Sequence, residues 1–291
     1  MKKFLYSSIL IVLLAACSSS DENTTSAIDP NNVNANISGE AYSTRYEIPH
    51  LGGHDDTFFT YTTSSKDDVT YSISYNRELK HARWVAFTFN ESNRVINWNR
   101  NDWGKDPWDY APEVPEEDQL DSRRGIVSTY GLNGYDRGHI VASYDRLHSQ
   151  EANRQTFYSV NMSPMLSSFN QDGPWNKLET KINNRSSGWC TTNDVLYVVK
   201  GATIREGEYN VKNTLTIPKN YFMAIVRKKG NSHHGIAFLL PHDSNTGRSL
   251  RSCAMSIDEL EEITGIDFFC NIPDKLENAV EKTINTNAWG L

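Results

Sequence analysis

Between Tyr135 and Glu179 the chain gathers side chains suited to acid–base and phosphate chemistry. Tyr135-Asp136-Arg137-Gly138-His139-Ile140-Val141 sets a basic residue, a glycine and a histidine at what reads as a strand edge. Asn161-Met162-Ser163-Pro164 follows, and then Phe169-Asn170-Gln171-Asp172-Gly173-Pro174-Trp175-Asn176-Lys177-Leu178-Glu179. Pro174 suits the first turn of a helix. Trp175 and Glu179, four apart, share one face of it. Asn170 sits just before that helix. A histidine can act as a general base near neutral pH. An amide oxygen is a hard ligand suited to Mg2+, which keeps most of its waters. Arginine grips phosphate through two parallel hydrogen bonds. Together these groups supply what phosphodiester hydrolysis requires. Water must lose a proton, charge on the phosphorane must be neutralised, and the departing oxygen must be stabilised.

This ordered set resembles the DNA/RNA non-specific endonucleases, the ββα-metal family that includes endonuclease G. Asp136-Arg137-Gly138-His139 matches that family's tetrad, and Asn161-Met162-Ser163-Pro164 its following Asn-x-x-Pro segment. Asn170-Gln171 with Trp175-Asn176-Lys177-Leu178-Glu179 matches its metal-bearing helix. Asn99-Arg100-Asn101-Asp102-Trp103, ahead of Asp106-Pro107, resembles its upstream arginine loop. Tyr71 to Phe89, Val195 to Gly201 and Ile257 to Pro273 fit less specifically, so the likeness spans residues 65 to 280.

The resemblance implies a sugar-non-specific, metal-dependent endonuclease acting on DNA and RNA and leaving 5′-phosphate and 3′-hydroxyl ends. It gives His139 the role of general base. It makes Asn170 the one direct protein ligand of Mg2+, or of a related divalent ion such as Mn2+. Glu179 would hold the metal's waters. Arg100 would neutralise the phosphorane, and Arg137 would support substrate or local structure. Asp136 would orient the tetrad's strand, and Asn161 would position His139. Two positions depart from the family. The stretch from Asn170 to Glu179 is one residue longer than usual, so Gln171 could take the ligand place. Met165 stands where the family usually has Gln.

Elements must hold these groups in place. Val69 to Tyr75 alternates apolar and polar residues, as a half-buried strand does. Trp84 to Phe89 is nearly all apolar, as a strand covered on both faces would be. Asn76 to His81 reads as the hairpin turn between them. Further strands are expected at Val195–Lys200, Tyr221–Arg227 and Gly235–Leu240. Ser256 reads as the N-cap of a helix with Glu259 at N3, and Leu260 and Ile263 give that helix one apolar face. Three prolines break any period between Asp102 and Asp121, so this stretch is expected to be a long irregular excursion of the kind that often carries function. The composition stays even from Ala41 to Trp289, which implies one domain over residues 41–291. An α+β fold is expected, with a central antiparallel sheet, flanking helices and a ββα-metal catalytic motif.

The 291-residue chain is polar, and its 14 Tyr and 7 Trp exclude a disordered polymer. Its net charge of −7 excludes a generally basic nucleic-acid coat, but not a local basic groove. Arg100, Arg123, Arg124 and Arg137 are expected to line such a cleft. No Walker-type glycine loop, dinucleotide fingerprint or Gly-x-Ser-x-Gly elbow appears. His50, His54, His233 and His234 read as solvated loop histidines, and Asp145-Arg146 as a structural ion pair.

The chain opens with Met1-Lys2-Lys3 and an apolar run too short to span a bilayer. Leu14-Ala15-Ala16-Cys17 resembles the lipobox of bacterial lipoproteins, which implies removal of residues 1–16 and a lipid anchor at Cys17. Ser18 after the cysteine points to an outer-membrane lipoprotein, periplasmic or surface-exposed. Residues 17–40, rich in Ser, Thr, Asn and Asp, read as a flexible tether. Cys190, Cys253 and Cys270 remain. At most one internal disulfide is possible, and Cys253–Cys270 is taken as the expectation. A narrower phosphodiesterase and a surface nucleic-acid-binding module are the alternative readings.

Overall fold

A computed structural model describes residues 30–37 and 39–291. The expected signal segment, Cys17 and the tether up to residue 29 lie outside the described residues. The strands are β1 (Thr57–Thr62), β2 (Val69–Asn76), β3 (His81–Phe89), β4 (Tyr135–His139), β5 (Met162–Leu166) and β6 (Val195–Ala202). They continue with β7 (Tyr209–Lys212), β8 (Leu215–Pro218), β9 (Asn220–Lys229), β10 (Ser232–Pro241) and β11 (Ala254–Met255). The helices are α1 (Ile126–Tyr130), α2 (Gln150–Gln155), α3 (Pro174–Asn183), α4 (Trp189–Thr192), α5 (Ile257–Thr264) and α6 (Asp274–Glu281).

Seven strands form an antiparallel sheet in the order β1-β2-β3-β6-β9-β10-β11. Period-two alternation sends side chains to both faces. Val85, Phe87 and Phe89 of β3 and Met223 and Ile225 of β9 join one core with Trp175, Leu178 and Ile182 of α3. Trp84 and Ala86 of β3 and Phe222, Ala224 and Val226 of β9 join a second core with Ile257 and Leu260 of α5 and Val280 of α6. The sheet is therefore a middle layer. The β4–β5 pair and α3 lie on its first face, and α5 and α6 on its second.

The expected strands at Trp84–Phe89, Val195–Lys200, Tyr221–Arg227 and Gly235–Leu240 all fall within observed strands. Ser256 caps α5 reciprocally. Its Oγ accepts from the Glu259 N–H at 3.1 Å, and its own N–H donates to Glu259 Oε2 at 2.8 Å. Residues 102–121 contain short 3-10 turns and one isolated β-bridge, Asp109 to Tyr158, consistent with their prolines.

Five expectations need correction. β2 is not half-buried: Thr70, Ser72 and Ser74 are covered as well as Tyr71, Ile73 and Tyr75. Ser72 and Ser74 are satisfied there by Thr60 Oγ1 at 2.7 Å and Asp56 Oδ2 at 2.9 Å, so their burial leaves neither hydroxyl unpaired. The chain also packs earlier than Ala41. The Asn36 side chain donates to the Ser43 and Pro49 carbonyls and accepts from the Leu51 N–H. Cys190, Cys253 and Cys270 are free and buried. Cys253 belongs to the first core, while Cys270 sits beside Phe269 and Ile272 of the second, so the sheet separates the two thiols. His233 and His234 lie on β10 rather than in a loop. Finally, Arg146 forms no ion pair with Asp145. Its guanidinium is fully buried and donates to the carbonyls of Thr70 (2.6 Å), Asp145 (2.9 Å) and Thr88 (3.1 Å).

Removing the guanidinium would take a donor from three carbonyls, of which that of Thr88 also accepts from Asn93 Nδ2 at 3.1 Å. Arg146→Leu is expected to lower the unfolding free energy by about 3 kcal/mol or more. A fall in the urea midpoint with unchanged slope would show it, and an unchanged midpoint would refute this account.

Candidate active site

β4 and β5 pair antiparallel, with Asp136 opposite Met165, Gly138 opposite Ser163 and His139 opposite Met162. Gly138 is required by this pairing. A Cβ there would lie 2.3 Å from the Met165 side chain, which is fully buried. Met165, where the family usually has Gln, thus serves as an apolar filler beneath the tetrad. Arg137 and His139, two apart on β4, reach a cleft of about 430 Å³. Arg100, Asp106, Trp108, Asp136, Asn170 and Gln171 also line it.

His139 is held by aromatic walls. Its ring lies 5.2 Å from the Trp108 ring and 5.1 Å from the Phe157 ring, centroid to centroid. Trp108 and Phe157 meet edge to face at 4.9 Å. The same two rings carry the arginines. The Arg137 guanidinium sits 3.9 Å above Trp108, and that of Arg100 4.9 Å from Phe157. Asp106 grips Arg100 in a two-pronged ion pair, and Ser143 Oγ accepts from it at 3.1 Å. The Ser122 carbonyl accepts from Arg137 at 3.0 Å. Burial, reinforced by the charges of Arg100, Arg137 and Lys200, pushes the His139 pKa down to about 3. The imidazole is therefore neutral and able to take a proton at physiological pH.

Asp136 sets the amides. Its carboxylate accepts from Ser167 Oγ at 2.7 Å, from Asn170 Nδ2 at 3.0 Å and from Gln171 Nε2 at 2.8 Å. A carboxylate can only accept here, so both amide nitrogens face it and both amide oxygens are left for the cleft. Asn170 is half-buried and Gln171 exposed, so Asn170 is the more firmly held. Ser168–Asp172 forms a π-helical turn ahead of α3, which starts at Pro174 as expected. A π turn holds more residues than an α turn. Within that turn, Asn170 lies beside Asp136.

The remaining expected residues lie outside this cleft. Asn161 is fully buried. Its side chain accepts from the Val141 N–H at 2.9 Å and donates to the Val141 and Thr156 carbonyls at 2.9 and 2.8 Å. It fixes the backbone just after His139 without touching the ring. Glu179 lines a separate hollow with Ala142, Tyr144 and Asn183. Its Oε1 accepts from Lys200 Nζ at 2.9 Å, and Asp145 Oδ2 accepts from the same ammonium at 2.9 Å. Burial and the Asp145 charge push Glu179 above the usual carboxylate range despite Lys200. Burial alone would raise Asp145 too, but Lys200 and the Asn183 amide hold it down. Arg123 and Arg124 are exposed and do not line the cleft. Arg123 pairs with Asp121 and lies over the Tyr110 ring instead.

Sequence reasoning missed Asp106, Trp108, Phe157 and Lys200. Asp106 and Trp108 stand in the proline-broken excursion already singled out. Lys200 is a lone cation in an apolar strand, which is a readable signal. Phe157 carries none. Of the clusters able to hold a metal among the described residues, none contains His50, His54, His233 or His234.

Fold and cleft together define a mixed α/β nuclease architecture. The fold is similar to that of endonuclease G in its crystal structure with the inhibitor EndoGI. The TM-score is 0.61, with 22% identity, over 74% of this chain and 87% of that one. A nuclease of Nostoc sp. is 30% identical over 224 residues, or 74% of this chain and 76% of the relative. The mitochondrial endonuclease G of Bos taurus is 24% identical over 221 residues, or 71% and 69% of the respective chains. Residues 54–275 match the family described as DNA/RNA non-specific endonuclease. The chain belongs to that family and is an enzyme that hydrolyses nucleic acids. Nucleases of the family generally depend on a divalent metal.

Asp136 acts through its neighbours, since one carboxylate orients two amides at once. Asp136→Ala is expected to lower the rate of plasmid cleavage by about 10- to 100-fold. Thermal unfolding should change little, since the carboxylate is only partly buried. Wild-type cleavage by this variant would refute the orienting role.

Proposed function

We propose that this chain is a Mg2+-dependent endonuclease that cuts DNA and RNA without sugar preference and leaves 5′-phosphate ends. The observation that carries this reading is the meeting of His139, Arg100, Arg137 and the Asn170 amide oxygen in one cleft. Asn170 would hold the metal, with waters completing its shell. The donor set fits, because a neutral amide oxygen turned outward by a carboxylate is a hard ligand that leaves Mg2+ its waters. Bound there, a divalent ion would neutralise charge on the scissile phosphate and on its departing oxygen.

The protein's own groups do the rest. His139 takes a proton from a water as that water's oxygen bonds to phosphorus. The bond from phosphorus to the 3′-oxygen breaks, leaving a 3′-hydroxyl once that oxygen is protonated. Arg100 and Arg137 face the phosphate oxygens and offset their growing charge. Arg100 is steadied for this by Asp106, so its charge is positioned rather than free. A bound phosphate also counters the cations that depress His139, which raises the basicity of the ring when substrate arrives. Glu179 would support the metal's waters through the oxygen that Lys200 does not engage. Phosphate contacts dominate such binding, so affinity should fall as salt rises. The lipid anchor at Cys17 and outer-membrane placement rest on the Leu14-Ala15-Ala16-Cys17 signal.

Supercoiled plasmid and an RNA transcript, each incubated with Mg2+ or with EDTA, test the reading. Both should be cut with Mg2+ alone, and His139→Ala should lose about 10²- to 10⁴-fold in rate. A folded wild-type protein that cuts neither polymer with any of several divalent ions would overturn it. A protein that binds nucleic acid without cutting it would favour the binding module. The pH profile gives a second test. Because the free-enzyme His139 pKa lies near 3, an acid limb near 6.5 should not come from its imidazole, whereas Glu179, pushed up to about 7, can give one. An acid limb centred at about 6 to 7 that persists in Glu179→Gln would contradict this.

A further inference from the structure

The second face of the sheet carries a concentration of negative charge unrelated to the cleft. Asp258 and Glu261 of α5 and Glu281 at the end of α6 each bring one carboxylate oxygen within 4.8 Å of the others. Glu277, one turn before Glu281, and Asp267, just past α5, add their charges to the same region. Among the described residues, no ion pair includes any of these five carboxylates. Three of them have hydrogen-bond donors. Glu261 accepts from the Phe268 N–H at 2.7 Å, and Asn34 Nδ2 lies 3.0 Å from Glu277 and 3.2 Å from Asp267. Glu281 has none. It is 6% exposed, and its buried Oε1 has no hydrogen-bond partner. The Oδ1 of Asn34 is buried and unpartnered as well.

Glu281 cannot easily escape to water. A Cβ on Gly235 of β10 would lie 2.1 Å from the Val280 carbonyl, so α6 is seated directly on the sheet at the residue before Glu281. A buried carboxylate with neither donor nor counter-charge is strongly unfavourable. Either protons or a cation must relieve it.

We propose that Asp258, Glu261 and Glu281 form a structural Ca2+ site that ties α5 to α6. Ca2+ binds oxygens at about 2.3–2.6 Å, so two ligands of one ion lie at most about 5 Å apart, which the three carboxylates satisfy. Ca2+ accepts an irregular shell of several carboxylates, whereas Mg2+ demands near-octahedral geometry and keeps its waters. The cluster has no His or Cys, which disfavours softer metals.

The test uses the full chain carrying Asn170→Ala, which removes the proposed ligand of the active cleft. After EDTA treatment and dialysis, CaCl2 is titrated calorimetrically. One Ca2+ per chain is expected, with affinity reduced at least about 10-fold by adding Glu281→Gln. Ca2+ should raise Tm by several degrees, and Glu281→Gln should abolish that rise. Asp258→Asn, at a partly exposed position, gives the same reading if Glu281→Gln does not fold. Absence of Ca2+ binding, or binding unchanged in the cluster variants, would overturn the proposal. A Tm indifferent to Ca2+ would also overturn it. None of these measurements depends on nuclease activity.

Discussion

A single fully buried ammonium organises the ground beneath the active cleft. Lys200 projects from β6, a central strand, and is fully buried. Its charge is tolerable only because Asp145 and Glu179 both accept from it. Asp145 belongs to the turn that follows the His139 strand, and Glu179 to the helix that follows Asn170. One cation thus fixes the sheet, the histidine-bearing segment and the helix that follows Asn170 relative to one another. Asp145 extends the network by accepting from the Ala142 N–H and the Asn183 amide. The Lys200 charge is also among those that keep His139 neutral. Position and protonation state of His139 therefore share one origin.

Above that foundation, the cleft assigns opposite tasks to polar and aromatic groups. Asp136 and Asp106 aim the amides and Arg100 by hydrogen bonding. Trp108 and Phe157 hold His139 and both guanidiniums by their faces and edges. Aromatic walls confine the imidazole, and its buried Nε2 has no hydrogen-bond partner. A carboxylate against the ring would have raised its resting pKa and biased it toward the protonated form.

The two faces of the sheet solve different problems. On the first, opposite charges are paired below a cleft open to a polyanion. On the second, like charges converge between α5 and α6, and the N-terminal segment reaches in through Asn34 to share two of them. This is why packing begins well before Ala41. The early Asn-rich stretch looks like tether by composition, yet its amides are the donors that the acidic helices lack.

The sequence by itself determined the local chemistry. Pro174 as a helix start and the Ser256–Glu259 cap are governed by contacts within a few residues, and each was legible; Asp136-Arg137-Gly138-His139 and the Asn170 region stood out by residue type and spacing. The strands at Trp84–Phe89 and Tyr221–Arg227 were legible because two-sided burial demands continuous apolar runs. The tertiary structure alone decided matters that join distant segments. Phe157 reads as an ordinary core residue until it meets His139 and Arg100. Asp145 reads as the partner of its neighbour Arg146, but adjacent side chains diverge, and the ammonium 55 residues away takes it. The expected Cys253–Cys270 bridge failed for the same reason, because no spacing rule reveals which face of a sheet a thiol occupies. Pattern encodes what a residue can do nearby. Only packing settles which far charge, ring or amide will complete it.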